Sequence, residues 1–177
     1  MPPEAAREPV VASLADLTHG NLIVDRLRER DAAGIIGELS RRLGEMDYVP
    51  DALSFYQAVL NLKLLSDSPA PSGVALAHAR MNGIKRLCFA FGRASLPVVW
   101  NAKDSRPVRL VFLVAVPPAE TCCYLQLLSS LARLGQCADV VAELLEAANA
   151  DGILAVFKNI PLSKQISFGL PHSNFVS

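Results

Sequence analysis

The stretch that most limits what this chain can fold into is "PVRLVFLVAV", residues 107–116. It is nearly continuous in apolar residues and rich in β-branched valine. A strand apolar on both faces must be covered on both faces, so it belongs in the interior of a sheet with helices above and below. A membrane-spanning helix needs roughly 20 apolar residues. The best candidate, "LVFLVAVPPA" at 110–119, is too short for that and is bracketed by Arg109 and Glu120. The prolines after Val116 end the strand, and Pro118 suits the first turn of a following helix.

The rest of the chain arranges itself around this strand. "RDAAGIIGELSRRLGEM" reads as a helix with Asp31 as N-cap and Ile35, Ile36, Leu39, Leu43 and Met46 on one face. "VPDALSFYQAVLNLKLL" reads as a second helix, with Leu53, Tyr56, Leu60 and Leu64 as its stripe, widened by Val59. "SDSPAPSG" is a loop, since its prolines and glycine cannot continue a helix. "GVALA", "RLCFAFG" and "LPVVW" read as three short strands before the central one. Beyond it come a helix with Tyr124, Leu127, Leu128, Leu131 and Leu134 on one stripe, "CADVVAELLEAA", and a last short helix in "DGILAVFKNI". Helices, then strands, then helices give an α/β fold with a mixed β-sheet flanked by helices on both sides. The expected organisation is a loose segment at 1–12, one domain at 13–160 and a tail at 161–177.

Composition narrows the function classes. Lys plus Arg and Asp plus Glu number 17 each, so no net field points to nucleic acid or to an anionic membrane surface. The N-terminus lacks the cationic-then-apolar pattern of a signal peptide, and the expectation is a cytoplasmic protein without membrane insertion. The four cysteines, Cys88, Cys122, Cys123 and Cys137, form no C-x-x-C and read as reduced, mostly buried thiols. With three widely spaced histidines they make no structural zinc site, and no metal or other cofactor is expected.

Attention then falls on His78, in "SGVALAHARMNG". The chain has no G-x-S-x-G nucleophile elbow, no P-loop and no Rossmann glycines. His78 ends a short strand, and in open α/β sheets sites form beyond the carboxyl ends of strands. The start of the Tyr124 helix also follows such an end, so the two places are candidates to meet. A solitary imidazole there is either a structural histidine or a covalent nucleophile that takes up a phosphoryl group, with backbone N–H groups and helix ends as donors to its oxygens.

The order "GVALAH", "WNAKDSRPVRLVFLVAVP" and "YLQLLSSLARL" resembles enzyme IIA of the fructose/mannitol type, from the bacterial phosphoenolpyruvate-dependent phosphotransferase system. The nitrogen-regulatory branch looks most similar, and the resemblance runs over about residues 13–157. It implies that His78 is the phosphorylated histidine and that the donor is the histidine-containing phosphocarrier protein. It also implies acceptors: a IIB domain in sugar transport, or, in the regulatory branch, partners such as potassium transporters and sensor kinases.

The chain departs from the family pattern at several positions. A Gly/Thr-rich loop is replaced by "DSPAPSG", of which only Gly73 is kept; Ala77 replaces a proline; Leu62 and Lys63 replace an Arg-Glu pair; Tyr124 replaces a second histidine. The residues expected to stabilise the phosphoryl group are Tyr124, Ser72, Arg80 and Gly73. The first three have plainer alternatives. Tyr124 heads a core stripe, Ser72 is a turn residue, and Arg80 is an exposed arginine on a partner face. The functional alternatives are a phosphohistidine carrier with a regulatory role and a degenerate module of the same fold that binds a partner without taking phosphate.

Overall fold

The computed structural model describes residues 13–63 and 69–162. After two short 3-10 turns come β1 (Ile23–Val24), α1 (Ala32–Glu45), α2 (Ala52–Lys63), β2 (Val74–Arg80), β3 (Cys88–Asn101), β4 (Asp104–Val116), α3 (Cys122–Leu134), α4 (Ala138–Glu146) and α5 (Ala150–Lys158). The expected segment 1–12, most of the tail at 161–177, Leu64 and the first half of the loop lie outside the described residues. Among the described residues no helix is long and apolar enough to cross a membrane.

The four strands form one sheet in the order β1-β3-β4-β2. β1 runs parallel to β3, β2 parallel to β4, and β3 antiparallel to β4, so the sheet is mixed. The run 107–116 is the inner part of β4, which has a strand on each side, and from Leu110 to Val116 every residue is buried. Both faces are covered, as its composition demands. Ala75, Ala77 and Ala79 of β2, with Val111, Leu113 and Ala115 of β4, pack against Ile35, Ile36, Leu39, Phe55 and Val59 of α1 and α2. On the opposite face Phe89, Phe91, Phe112 and Val114 pack against Leu127, Leu131, Leu144, Ile153 and Phe157 of α3, α4 and α5.

Local chemistry explains the element ends. The Asp31 carboxylate accepts from the Gly34 N–H and starts α1, as its sequence suggests. Asp51 does the same for Ser54 at the start of α2. The buried face of α2 is shifted from the expected stripe: Val59 is buried as expected and so is Phe55, which the stripe leaves out, while Leu53 is 61% exposed. Both stripes repeat at helical spacing, and packing against α1 and β2 buries the one centred on Phe55 and Val59, leaving Tyr56 and Leu60 partly buried at its edge. Segments 86–92 and 96–100 are not two strands but one, β3, whose pairing with β4 shifts register between Arg93 and Val98. Pro97, which has no N–H to donate, sits within that irregularity. α3 opens at Cys122 rather than at Pro118, because Pro117 to Glu120 form a turn closed by Glu120 N–H donating to Pro117 O.

Candidate functional site

Side chains alternate along β2. Ala75, Ala77 and Ala79 face the α1 and α2 layer, whereas Val74 and Leu76 belong to the layer of α3, α4 and α5. His78 follows in the second set. The strand does not end at His78 as expected but runs on to Arg80, and His78 lies level with Val114 of β4. Because β2 and β4 are parallel, their carboxyl ends share one pole of the sheet. α3 begins just beyond β4, so its first turn stands over the same pole. The result is that Tyr124 meets His78, with ring centroids 5.8 Å apart and planes tilted by 49°. Both side chains are half-buried.

Arg80 lies two residues beyond His78 on the same side of the strand, about 7 Å away along it. Its Nη1 donates to the carbonyl oxygens of Pro117 (3.0 Å), Pro118 (2.8 Å) and Glu120 (2.8 Å). Its Cζ stands 5.8 Å from the Tyr124 ring centroid. Nε and Nη2 have no acceptor among the described residues. The Glu120 carboxylate in turn accepts from the Cys123 N–H at 3.0 Å and caps the first turn of α3. An imidazole, a phenol and a guanidinium anchored by one nitrogen are thereby held together at the start of a helix, where backbone dipoles favour an anion.

Ser72 and Gly73 do not join this cluster. They precede β2 at its other end, and Val74 alone is about 13 Å from His78 along the strand. The Ser72 hydroxyl donates to Gly135 O, tying the start of β2 to the end of α3. Gly73 has φ +84°, and a Cβ there would stand 3.0 Å from Pro107 O. Its role in this structure is to let two backbones pass closely. Leu62 is 41% exposed in the last turn of α2, on the layer covering the opposite face. Trp100 is buried, 2% exposed, near the end of β3. His19 is exposed and accepts from Asn21 N–H, and His172 lies outside the described residues. The cysteines are not mostly buried: Cys88 is, but Cys122 and Cys137 are exposed and Cys123 is half-buried. The doublet falls on the open start of α3, and Cys137 on the turn before α4.

Sequence reasoning missed Glu120 and the carbonyls of the Pro117–Glu120 turn. A signal for Glu120 exists, since an acidic residue three positions before Cys123 has the spacing of a helix cap. Nothing in the sequence marks a carbonyl as an arginine's acceptor.

A family model described as "Phosphoenolpyruvate-dependent sugar phosphotransferase system, EIIA 2" matches residues 16–160. The chain is 25% identical over 143 residues to the PTS system fructose-specific EIIABC component of Bacillus subtilis, spanning 81% of this chain but only 22% of that protein. It is 24% identical over 143 residues to the nitrogen regulatory protein of Bradyrhizobium diazoefficiens, covering 81% of this chain and 93% of that one. Among solved structures, nitrogen regulatory protein IIA-Ntr from Neisseria meningitidis superposes with a TM-score of 0.74 at 24% identity, covering 81% of this chain and 98% of that one. At that identity the superposition establishes a shared fold.

Proposed function

Because this chain belongs to the EIIA 2 family of the phosphoenolpyruvate-dependent sugar phosphotransferase system, we propose that its unit at 13–160 is a phosphohistidine carrier with a regulatory role, in which His78 takes a phosphoryl group from the histidine-containing phosphocarrier protein. The observation that carries this reading is the cluster of His78, Tyr124 and Arg80 at the carboxyl ends of two parallel strands.

The chemistry is a transfer between two imidazoles. An unprotonated ring nitrogen of His78 attacks phosphorus with its lone pair. The bond from phosphorus to the donor nitrogen breaks, and the donor imidazole keeps that electron pair. The other nitrogen of His78 carries the proton, so the product ring bears the phosphoryl group on one nitrogen and N–H on the other. Charge on the phosphoryl oxygens is met by the Tyr124 hydroxyl, by the Nε and Nη2 edge of Arg80, and by the positive end of α3. The loop at Ser72 and Gly73 is too distant to act as the cradle. Its departures from the family pattern therefore bear on folding at that end and not on the oxygens at His78. The phosphorylation state then sets which partner, a transporter or a sensor kinase, binds the half-exposed pole. Its match along nearly the whole of a nitrogen regulatory protein supports this regulatory reading.

The test is incubation with phosphoenolpyruvate, the first enzyme of the system and the phosphocarrier protein, followed by intact-mass measurement. Wild type should gain one phosphoryl group and His78→Ala none. Tyr124→Phe and Arg80→Ala should each slow transfer about ten- to a hundredfold, the value of one hydrogen bond to a charged group. No gain on wild type, under conditions that label an authentic IIA protein, refutes the carrier and leaves the phosphate-free binding module. Label persisting in His78→Ala refutes the choice of residue.

A further inference from the structure

A cavity lies toward the other end of the sheet from His78, and it goes beyond the reading of that residue. The irregularity in β3 between Arg93 and Val98 swings residues 94–97 out of register with β4. Arg109 holds this bulge, with Nε donating to Ala94 O at 3.2 Å and Nη2 to Ser95 O at 3.4 Å. Between the bulge and the segment leading into α1 is a cavity of about 620 Å³, lined on one side by Arg26, Arg28 and Arg30 and on the other by Ser95, Leu96 and Pro97. The bulge lies level with Val108 to Leu110 of β4, whereas His78 lies level with Val114. The two places are therefore separated by at least about 13 Å of strand.

The arginine-bearing segment is fixed. Leu27 is buried, and its side chain occupies the space where a Cβ on Gly92 would stand, 2.8 Å away. Its N–H donates to Arg93 O at 2.9 Å. The Glu38 carboxylate accepts from the N–H groups of both Arg28 (3.0 Å) and Glu29 (3.2 Å). The backbone is thus satisfied while the three guanidinium groups are not. Among the described residues none of the guanidinium groups of Arg26, Arg28 and Arg30 donates to an acceptor or pairs with a carboxylate. Glu29 also lines the cavity, leaving an excess of positive charge there in a chain whose formal net charge is zero.

We propose that this cavity binds a small organic phosphate, its dianionic head held by Arg26, Arg28 and Arg30 and its body resting on Leu96 and Pro97. Guanidinium forks match the several acceptor oxygens of a phosphate. The opposite wall is apolar and open, with Leu96 62% exposed. The volume falls in the range of small-molecule sites, roughly 300–1,000 Å³. A bulge beside such a site is a recurrent way of re-aiming side chains.

The experiment is an amide NMR titration of the full chain at low salt with phenyl phosphate, and separately with inorganic phosphate. Saturable shifts confined to residues 26–30 and 94–98 are expected, with phenyl phosphate the tighter ligand. The double variant Arg26→Gln, Arg28→Gln should bind at least about tenfold more weakly. Both residues are exposed, so its amide spectrum away from the cavity should match that of wild type. His78→Ala should bind as wild type does, which keeps this result separate from the carrier reading. The proposal is overturned by absence of saturable shifts up to about 10 mM, by shifts centred on His78 and Tyr124, or by undiminished affinity in the double variant. Equal affinity for inorganic phosphate overturns the organic body.

Discussion

Replacing Phe157 by alanine should destabilise the layer that positions Tyr124. Phe157 is fully buried, and its ring centroid lies 5.5 Å from that of Phe89, 5.3 Å from Phe91 and 5.8 Å from Phe112. Two of these pairs are edge-to-face, an arrangement worth about 0.5–1.5 kcal/mol beyond area burial. Phe→Ala in a core costs about 3–5 kcal/mol, depending on how far the site collapses. Here three of the walls are rings on β3 and β4, held in place by strand pairing, so collapse is limited and about 4 kcal/mol is expected. For a chain of this size that corresponds to a fall in Tm of about 8–16 °C. Phe157→Leu should lose about 1–2 kcal/mol. The assay is urea unfolding followed by the fluorescence of Trp100, the one tryptophan in the chain, which is buried. The midpoint should move with the slope unchanged. A loss below about 1 kcal/mol for the alanine variant, under the cavity cost argued above, would refute the reasoning and mean that α5 contributes no fixed wall to this core.

Three further outcomes follow from the same structure. Gly73→Ala forces a Cβ-bearing residue to φ +84° and against Pro107 O. It should cost about 1–2 kcal/mol by urea unfolding while leaving the rate of phosphoryl uptake by folded protein unchanged; a slowed rate at full folding would return Gly73 to the site. Cys122 and Cys137 should react with a thiol-directed disulfide reagent in the native state. Cys88, whose thiol is pushed up to about 12 chiefly by burial, should react only on unfolding; equal rates for all would contradict its burial. The Asp51 carboxyl is held below its ordinary 3.8, first by the hydrogen bond from the Ser54 side chain and then by that from the Ser54 N–H. Its folded value is depressed, so its stabilisation of α2 is present above pH 3.8 and is lost as pH falls through the lower folded value. The stability gap between wild type and Asp51→Asn should close over that acidic window, and a gap independent of pH would show that the charged cap does nothing.

Much of the fold is legible because its strongest signals are local. The composition of 107–116 calls for a covered inner strand, and the stripe of Ile35, Ile36, Leu39 and Leu43 names the inner face of α1. Where two local signals compete, tertiary packing decides. α2 carries apolar residues on more than one face, and the contact with β2 selects Phe55 over Leu53. The unity of β3 is hidden by exposed Leu96 and by Pro97, which break its alternation at the bulge. At the candidate site, His78 and Tyr124 are separated in sequence but brought together by topology, and the reasoning from strand ends finds them. Ser72 and Gly73 are near His78 in sequence and far in space, because the strand between them is extended. The Arg26, Arg28 and Arg30 cavity is illegible for a similar reason. Its arginines are interspersed with Leu27 and Glu29 and flanked by Asp25 and Asp31 in the sequence, and only the bulge of β3 supplies the opposite wall.

The sheet also acts as a partition. The core under α1 and α2 and the core under α3, α4 and α5 share no buried residue, since alternate positions of each strand feed one or the other. Substitutions on opposite sides of such a wall, where they stand more than about 10 Å apart and share no partner, should have energies that sum. The half under α1 and α2 is then free to drift in sequence, repacking within itself, without disturbing the ring that faces Tyr124. The other half has no such licence, because each change there alters the floor on which His78 and α3 stand. Divergence in this chain should accordingly be lopsided, with tolerance concentrated on the side of the sheet away from the imidazole.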